Sequence, residues 1–254
     1  MENSIKVVSI VGPTASGKTK LSVELAKHFN GEIVSADSMQ IYSGMQIATA
    51  KPTKAEMDGV PHHMMGFLPP DKTYSVASYV NDASKCIADI HSRGMLPFIV
   101  GGTGLYVDSL LNNISFSDDK RDEEYCSKLR KIGEEDGTDR LLDMLSEFDP
   151  ESAQRLREGR NIKRIIRAIE FYKTTGKTIT EQIKESHNIP SPYSAVKLGL
   201  NCRDRQVLYD RINRRVDIML DEGLLEEAQR VINSELSYTS VKAIGCLLYT
   251  SDAA

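Results

Sequence analysis

The sequence predicts an α/β fold: a parallel sheet flanked by helices, interrupted by a helical insertion. Three observations predict it. Short apolar runs alternate with amphipathic stretches up to about residue 116, residues 117–190 carry helical periodicity with no convincing strand, and a strand pattern resumes near residue 193. The expected organisation is therefore a discontinuous core, 1–116 with 193–254, and an insertion domain, 117–192.

The elements follow in order. IKVVSIV (5–11) is a β-branched apolar run ending at a glycine loop, the pattern of a strand buried on both faces. After Lys18, Leu21, Leu25 and Phe29 recur at helical spacing. EIVSADS (32–38) reads as a second strand that ends in polar residues. In 75–94, Val76, Tyr79, Val80, Ala83, Ile87 and Ile90 share one helical face ahead of Gly94. PFIV (97–100) is a third strand running into GGTGLY. SAVKLGLN (194–201) resumes the strand pattern, and RDRQVLYDRINRRVDIMLDEGLLEEAQRVI returns to amphipathic helix.

Composition narrows the function classes. A chain of 254 residues with 40% hydrophobic and 27% charged residues is ordinary for a soluble globular protein. The net charge of −4 excludes a chain that is basic all over, so any nucleic-acid contact must be a local patch. Such a patch exists within the insertion. Asp118 to Glu151 holds 13 acidic and 6 basic residues, whereas Arg155 to Lys177 holds 8 basic and 2 acidic. In GRNIKRIIRAIEFYKTTGK, Arg160, Lys163, Arg164 and Arg167 fall on one helical face and Ile162, Ile165, Ile166 and Ile169 on the opposite one. A solvated helix face is the alternative reading of the same pattern.

Cys86, Cys126, Cys202 and Cys246 are scattered with no C-x-x-C pair, which suits reduced thiols in a cytoplasm. No apolar run reaches the roughly 18–20 residues of a membrane span, and MENSIKVVSIVG lacks a basic leader, so neither a membrane partner nor a signal peptide is expected. His62 and His63 are adjacent and point in different directions with no further ligand cluster, so zinc is not expected.

The most specific motif is Gly12-x4-Gly17-Lys18-Thr19, set between a strand and a helix. This is a phosphate loop of the P-loop NTPase-like kind: glycines let backbone amides turn toward an anion, the helix N-terminus adds partial positive charge, and the lysine supplies a point charge. Gly12, Thr14, Ala15, Ser16, Gly17, Lys18 and Thr19 are the candidate phosphate contacts, and the Thr19 hydroxyl suits Mg²⁺. The loop does not report what hangs from the phosphates. An ATP enzyme would add an apolar strand closing on Asp, but PFIV closes on Gly101-Gly102-Thr103, and no arginine-rich lid follows. Asp37, at the carboxyl end of the second strand, should face the same crevice as Lys18, where a carboxylate can take a proton from a nucleophile. An N-cap or an indirect Mg²⁺ ligand is its plainer role.

GPTASGKT, ADSMQIY, TAKPT, PHH, GGTGLY, KRIIRAIE, TGK and RINRRVD stand here in one order, and over roughly residues 5–245 the chain resembles the tRNA dimethylallyltransferases. The resemblance implies transfer of a dimethylallyl group from dimethylallyl diphosphate to the exocyclic N6 amine of the adenosine 3′ to the tRNA anticodon. It implies Asp37 as base, Thr103 near the reacting amine and phosphate, and Arg215 gripping the donor diphosphate, with Arg211 a helical turn earlier. It places tRNA contacts on Asp37, Ser38, Met39 and Gln40 and on Lys163, Arg164, Ile165, Ile166 and Arg167. It also implies base flipping, Mg²⁺, a cytoplasmic location and a monomer. Thr103 could equally cap the following helix. Met39 and Tyr42 could be core.

Three departures from the family pattern stand out: Cys126 where an arginine is usual, Gly66 where an aspartate follows the paired histidines, and CLLYTSDAA after Gly245 in place of a longer basic helical tail. The tail is expected to be truncated, with loss of stability and of tRNA affinity. The alternative functions are prenylation of free adenine nucleotides, a P-loop small-molecule kinase, and a non-catalytic RNA-binding relative.

Overall fold

The computed structural model describes residues 4–114, 122–187, 190–233, 236–237 and 240. The expectations placed on the segment after Gly245, and on Cys246, fall outside the described residues. The chain forms two compact units, one of residues 1–111 and 191–254 and one of residues 112–190.

The first unit contains β1 (Ile5–Val11), α1 (Lys18–His28), β2 (Gly31–Ser35), α2 (Lys54–Met57), β3 (His62–His63), α3 (Val76–Ser92), β4 (Leu96–Gly101) and α4 (Gly104–Leu111). The second holds α5 (Glu123–Glu135), α6 (Gly137–Ser146), α7 (Pro150–Arg157), α8 (Ile162–Thr175) and α9 (Ile179–His187). The chain then returns to the first unit through β5 (Tyr193–Gly199), α10 (Arg205–Asp221) and α11 (Leu224–Ile232).

The five strands form one sheet in the order β3-β2-β4-β1-β5, every neighbouring pair parallel. Side chains of β1, β2 and β4 are buried on both faces, divided between them with the period of two that a pleated strand imposes, while the edge strand β5 is mostly exposed. Val7, Val34 and Ile99 pack against Tyr79, Ala83, Ile87 and Ile90 of α3 and Val107 and Leu110 of α4. Ile10, Ile33, Phe98 and Val100 pack the other way, against Val23 and Ala26 of α1. Each strand predicted from the sequence is present. The two-residue strand β3 carries too little pattern to be read in advance.

Near the amino ends of its strands, the sheet is fastened by charge. Arg93 grips the buried Glu32 carboxylate with both terminal nitrogens, at 2.6 and 2.8 Å, and His63 Nε2 lies 2.7 Å from the same carboxylate. These partners hold Glu32 far below the usual carboxylate range, at about 2, with the Arg93 hydrogen bonds the largest cause. His62 meets the carbonyl of Val60 through Nδ1 at 2.8 Å, so the paired histidines have separate protein partners. Among the described residues no group of three or more His, Cys, Asp or Glu is placed to hold a metal.

In the second unit, Leu129, Leu141, Leu142, Leu145, Ala153, Ile165, Ile166 and Ile169 form one buried cluster. Cys126 lies within it with no exposure. The thiol there is a core filler and cannot itself meet a ligand. Leu111 and Ser191, the residues of the first unit that flank the second in sequence, are joined: Ser191 Oγ donates to the carbonyl of Leu111 at 2.6 Å.

Candidate functional site

In an open parallel sheet, ligands sit outside the carboxyl ends of the strands. The loops after β1, β2 and β4 converge there on a cleft of about 840 Å³ within the first unit. Its lining includes Thr14 to Thr19, Asp37 to Gln40, Gln46 to Thr53, Gly101 to Thr103 and Arg215.

The phosphate loop joins β1 to α1. Ala15 (φ 61°) and Gly17 (φ 91°) both take the left-handed conformation, which interrupts the ordinary backbone and lets successive amides turn inward. Gly17 precedes α1 as its N-cap and supplies no side-chain cap, so the helix opens with its amides available to an anion. Gly12 is required for another reason: a Cβ there would lie 2.7 Å from the carbonyl oxygen of Leu200, just past β5. It backs the loop onto the sheet and is not part of the lining. Lys18 Nζ donates to the carbonyls of Gly12 (2.9 Å) and Pro13 (2.7 Å). Burial lowers its pKa, Asp37 opposes that shift and Arg215 adds to it, so these three charges share one field. Thr19 lies in the first turn of α1 and lines the cleft.

Asp37 follows β2 after Ala36. Its Oδ1 accepts the backbone N–H of Met39 at 2.9 Å and of Gln40 at 3.3 Å, so it stabilises the turn that carries it. The plain capping role and an exposure to the cleft are thus held by the same side chain.

Thr103 follows β4. Its amide donates to the carbonyl of Ala36 (3.1 Å), and its Oγ1 accepts from the Ser38 amide (3.0 Å) and lies 3.3 Å from Ser38 Oγ. The hydroxyl predicted as a possible helix cap therefore ties the β4 loop to the β2 loop instead. Gly101 permits that approach: a Cβ there would fall 2.1 Å from the Ala36 oxygen.

Arg215, on α10, is half-buried, and Nη2 donates to the carbonyl of Ala50 at 3.1 Å. Desolvation lowers its pKa, while Glu56 and Asp37 raise it. Arg211 is exposed and is not among the lining residues.

The remaining candidates divide. Ser38, Met39 and Gln40 line the cleft. The Gln40 side chain is engaged by the protein, donating to the carbonyls of Thr49 (3.4 Å) and Ala50 (3.2 Å) and accepting from Ser35 Oγ (3.2 Å). On α8, Lys163 and Arg164 are exposed, and Arg167 pairs with the buried Glu170 and lies over the Phe171 ring. Ile165 and Ile166 are 0% and 2% exposed, packed in the core of the second unit. Their side chains cannot touch an RNA: they anchor the helix face opposite the basic one, as the periodicity already implied.

Sequence reasoning missed the contribution of residues 46–53. TAKPT lies in that segment, but nothing local shows that its backbone walls the cleft. Lys51 is 8% exposed, its ammonium donates to the carbonyl of Tyr42, and burial pushes its pKa down to about 8 against a smaller opposing effect of Glu227. A Cβ at Gly66 would come within 3.7 Å of Lys51 Nζ, so the glycine at that position faces this amine.

Known proteins are similar to this chain along most of its length. The IPP transferase family model matches residues 40–250, and a model described as isopentenyl transferase matches residues 5–65. A tRNA dimethylallyltransferase of Halalkalibacterium halodurans is 49% identical over 241 residues, 94% of this chain and 76% of that protein. One from Oceanobacillus iheyensis is 50% identical over 227 residues, 89% of this chain and 72% of that protein. Among solved structures, a full-length tRNA isopentenylpyrophosphate transferase from Bacillus halodurans gives a TM-score of 0.64 at 43% identity, covering 98% of this chain and 78% of its own. A eukaryotic dimethylallyltransferase acting on tRNA gives 0.73 at 32% identity, covering 90% of this chain and 56% of its own. The chain belongs to the IPP transferase family.

Proposed function

We propose that this protein transfers a dimethylallyl group from dimethylallyl diphosphate to the N6 amine of the adenosine 3′ to the anticodon of tRNA, releasing diphosphate. One observation carries the reading. A phosphate loop, a carboxylate and an arginine converge on a single cleft in a chain about half identical to tRNA dimethylallyltransferases.

The chemistry needs two things, a stabilised leaving group and a base. The amine nitrogen attacks the allylic carbon, the carbon–oxygen bond breaks, and the electron pair leaves with the diphosphate. Lys18, the amides of Thr14 to Gly17 and Arg215 meet the charge that develops on that diphosphate. The amine proton passes to Asp37, whose Oδ1 is already fixed by two amides, so the carboxylate is oriented before the acceptor arrives. Thr103 holds the loop that carries Ser38 and orients the acceptor side.

The donor set suits Mg²⁺ shared with a diphosphate: a hydroxyl from Thr19 and a nearby carboxylate, with no all-protein carboxylate cage among the described residues. When bound, the ion would neutralise charge on the leaving diphosphate. The exposed Lys163 and Arg164 supply a phosphate-contact surface for the tRNA anticodon arm. A cytoplasmic monomer accords with this reading, and among the described residues no helix is long and apolar enough to cross a membrane.

The test incubates the protein with Mg²⁺, labelled dimethylallyl diphosphate and unmodified tRNA, with ATP and free AMP as alternative substrates. Label in tRNA is expected. Labelled AMP, or ATP turnover, without labelled tRNA would overturn the reading.

A further inference from the structure

Glu227 is a buried carboxylate that the scheme above does not use. It lies on α11 with 3% exposure. Its oxygens accept three consecutive backbone amides: Gln46 to Oε2 at 2.9 Å, Ile47 to Oε1 at 2.9 Å and Oε2 at 3.1 Å, and Ala48 to Oε1 at 2.8 Å. A desolvated carboxylate is tolerable only when its lone pairs are met, so this arrangement resists exchange with water. The loop it holds is a wall of the cleft.

The other side of that loop faces the catalytic groups. The carbonyl of Ala50 accepts from Arg215 Nη2 (3.1 Å) and from Gln40 Nε2 (3.2 Å). The amide of Gln40 in turn donates to Asp37 Oδ1 (3.3 Å). A continuous path of hydrogen bonds therefore runs from Glu227 through residues 46–50 to Arg215 and to the Asp37 turn. Arg215 and Glu227 stand on the consecutive helices α10 and α11 and grip the loop from its carbonyl and amide sides.

We propose that Glu227 is a positioning residue that fixes, through this loop, the guanidinium of Arg215 against the donor diphosphate; the proposal rests on the donor role given to Arg215 above. Glu227→Gln is nearly isosteric but replaces one acceptor oxygen with an NH₂ group, which then meets a backbone donor. The loop must shift to relieve that contact, and the Ala50 carbonyl that anchors Arg215 shifts with it. Glu227→Asp keeps the charge and both acceptors.

The test measures label transfer with the full chain, comparing wild type, E227Q, E227D and whichever of Ile90→Val or Ile90→Ala matches E227Q in Tm. Ile90 is buried in the cluster between α3 and the sheet, which contains none of residues 46–53, Arg215 or Glu227, and reports destabilisation alone. E227Q should raise the donor KM on the order of ten-fold with kcat and the tRNA KM changed by less than about three-fold. E227D should recover part of the loss. Hydrogen exchange at the amides of residues 46–48 should accelerate in E227Q while β1 and β4 stay protected. An unchanged donor KM in E227Q, or an equal rise in the Tm-matched Ile90 variant, overturns the proposal. If wild type transfers no label to tRNA, the reading of function fails by itself. Affinity for inorganic pyrophosphate then decides this inference: weaker binding in E227Q supports it, and equal binding overturns it.

Discussion

Replacing Gly101 with alanine should separate the two loops that carry Asp37 and Thr103. A Cβ at Gly101 would meet three backbone atoms of Ala36: its oxygen at 2.1 Å, its carbonyl carbon at 2.3 Å and its Cα at 2.8 Å. Ordinary contact begins at 3.4 Å, so the oxygen alone must retreat by more than 1 Å. That oxygen accepts the Thr103 amide at 3.1 Å, and Thr103 Oγ1 accepts the Ser38 amide at 3.0 Å; both bonds fail at such a displacement. Overpacking against backbone and the loss of a buried hydrogen bond together cost about 3 kcal/mol. For a chain of this size the Tm should fall by about 6–12 °C. Transfer should slow on the order of 100-fold, because Asp37 and Thr103 lose their relative placement. Gly102→Ala is the internal comparison, since its Cβ would find only the Gly12 oxygen, at 3.8 Å, and its Tm should stay within about 2 °C of wild type. Thermal melts and label transfer to tRNA read both. A Gly101→Ala protein with wild-type Tm and kcat would refute the argument.

Asp37→Asn keeps an Oδ1 acceptor for the Met39 and Gln40 amides, so it should fold and bind donor normally while kcat drops by about 100-fold or more; weaker donor binding with normal kcat would contradict the base assignment. Lys51 releases its proton near pH 8 in the folded chain and near 10.5 when unfolded. Between those values the unfolded chain binds the extra proton, so stability should rise with pH, by up to about 3 kcal/mol across the window. The raised pKa values of Cys86, Tyr74, Tyr79, Tyr106 and Tyr193 oppose this and the lowered pKa of Lys18 adds to it, so the comparison of wild type with Lys51→Met at pH 8 and 9.5 isolates it: the variant should lose the upward contribution, and equal slopes would contradict it. Arg93→Met leaves the buried Glu32 with His63 alone and should lower the Tm at pH 7. Glu32 stabilises the fold fully above its ordinary value of 4.5, and that contribution is lost as pH falls from there through about 2; in Arg93→Met this acid-dependent loss should shrink, so the Tm gap to wild type should narrow as pH falls through that window, and a gap independent of pH would contradict it.

The parts of the site legible in the sequence are those whose geometry is local. The phosphate loop announces itself by glycine spacing between a strand and a helix, and Asp37 and Thr103 by standing just past strand ends that a parallel sheet brings to one edge. The wall formed by residues 46–53 was not legible. Its conformation is set by Glu227, about 180 positions away, and by Arg215, about 165 away, and neither partner has a pattern that names the other. Ile165 and Ile166 show the reverse case. The helical period placed them opposite the basic residues, while the family resemblance counted the whole stretch as RNA contact, and their burial sides with the period. Cys126 is similar: a position marked as a missing contact is occupied by a thiol in a helical core, where volume decides what fits.

The hydrogen bond from Ser191 to Leu111 has a meaning beyond the bond itself. It shows that the chain leaves the sheet-bearing unit and re-enters it at neighbouring points, so the intervening residues are a closed excursion. Such an excursion can be lengthened, exchanged or excised with little effect on the frame, because the loop-closure term changes only slowly with length. A chain joining residue 111 to 191 through a short Gly/Ser linker would therefore keep the donor cleft whole. The phosphate loop and the basic face of α8 would then be separable heritable parts.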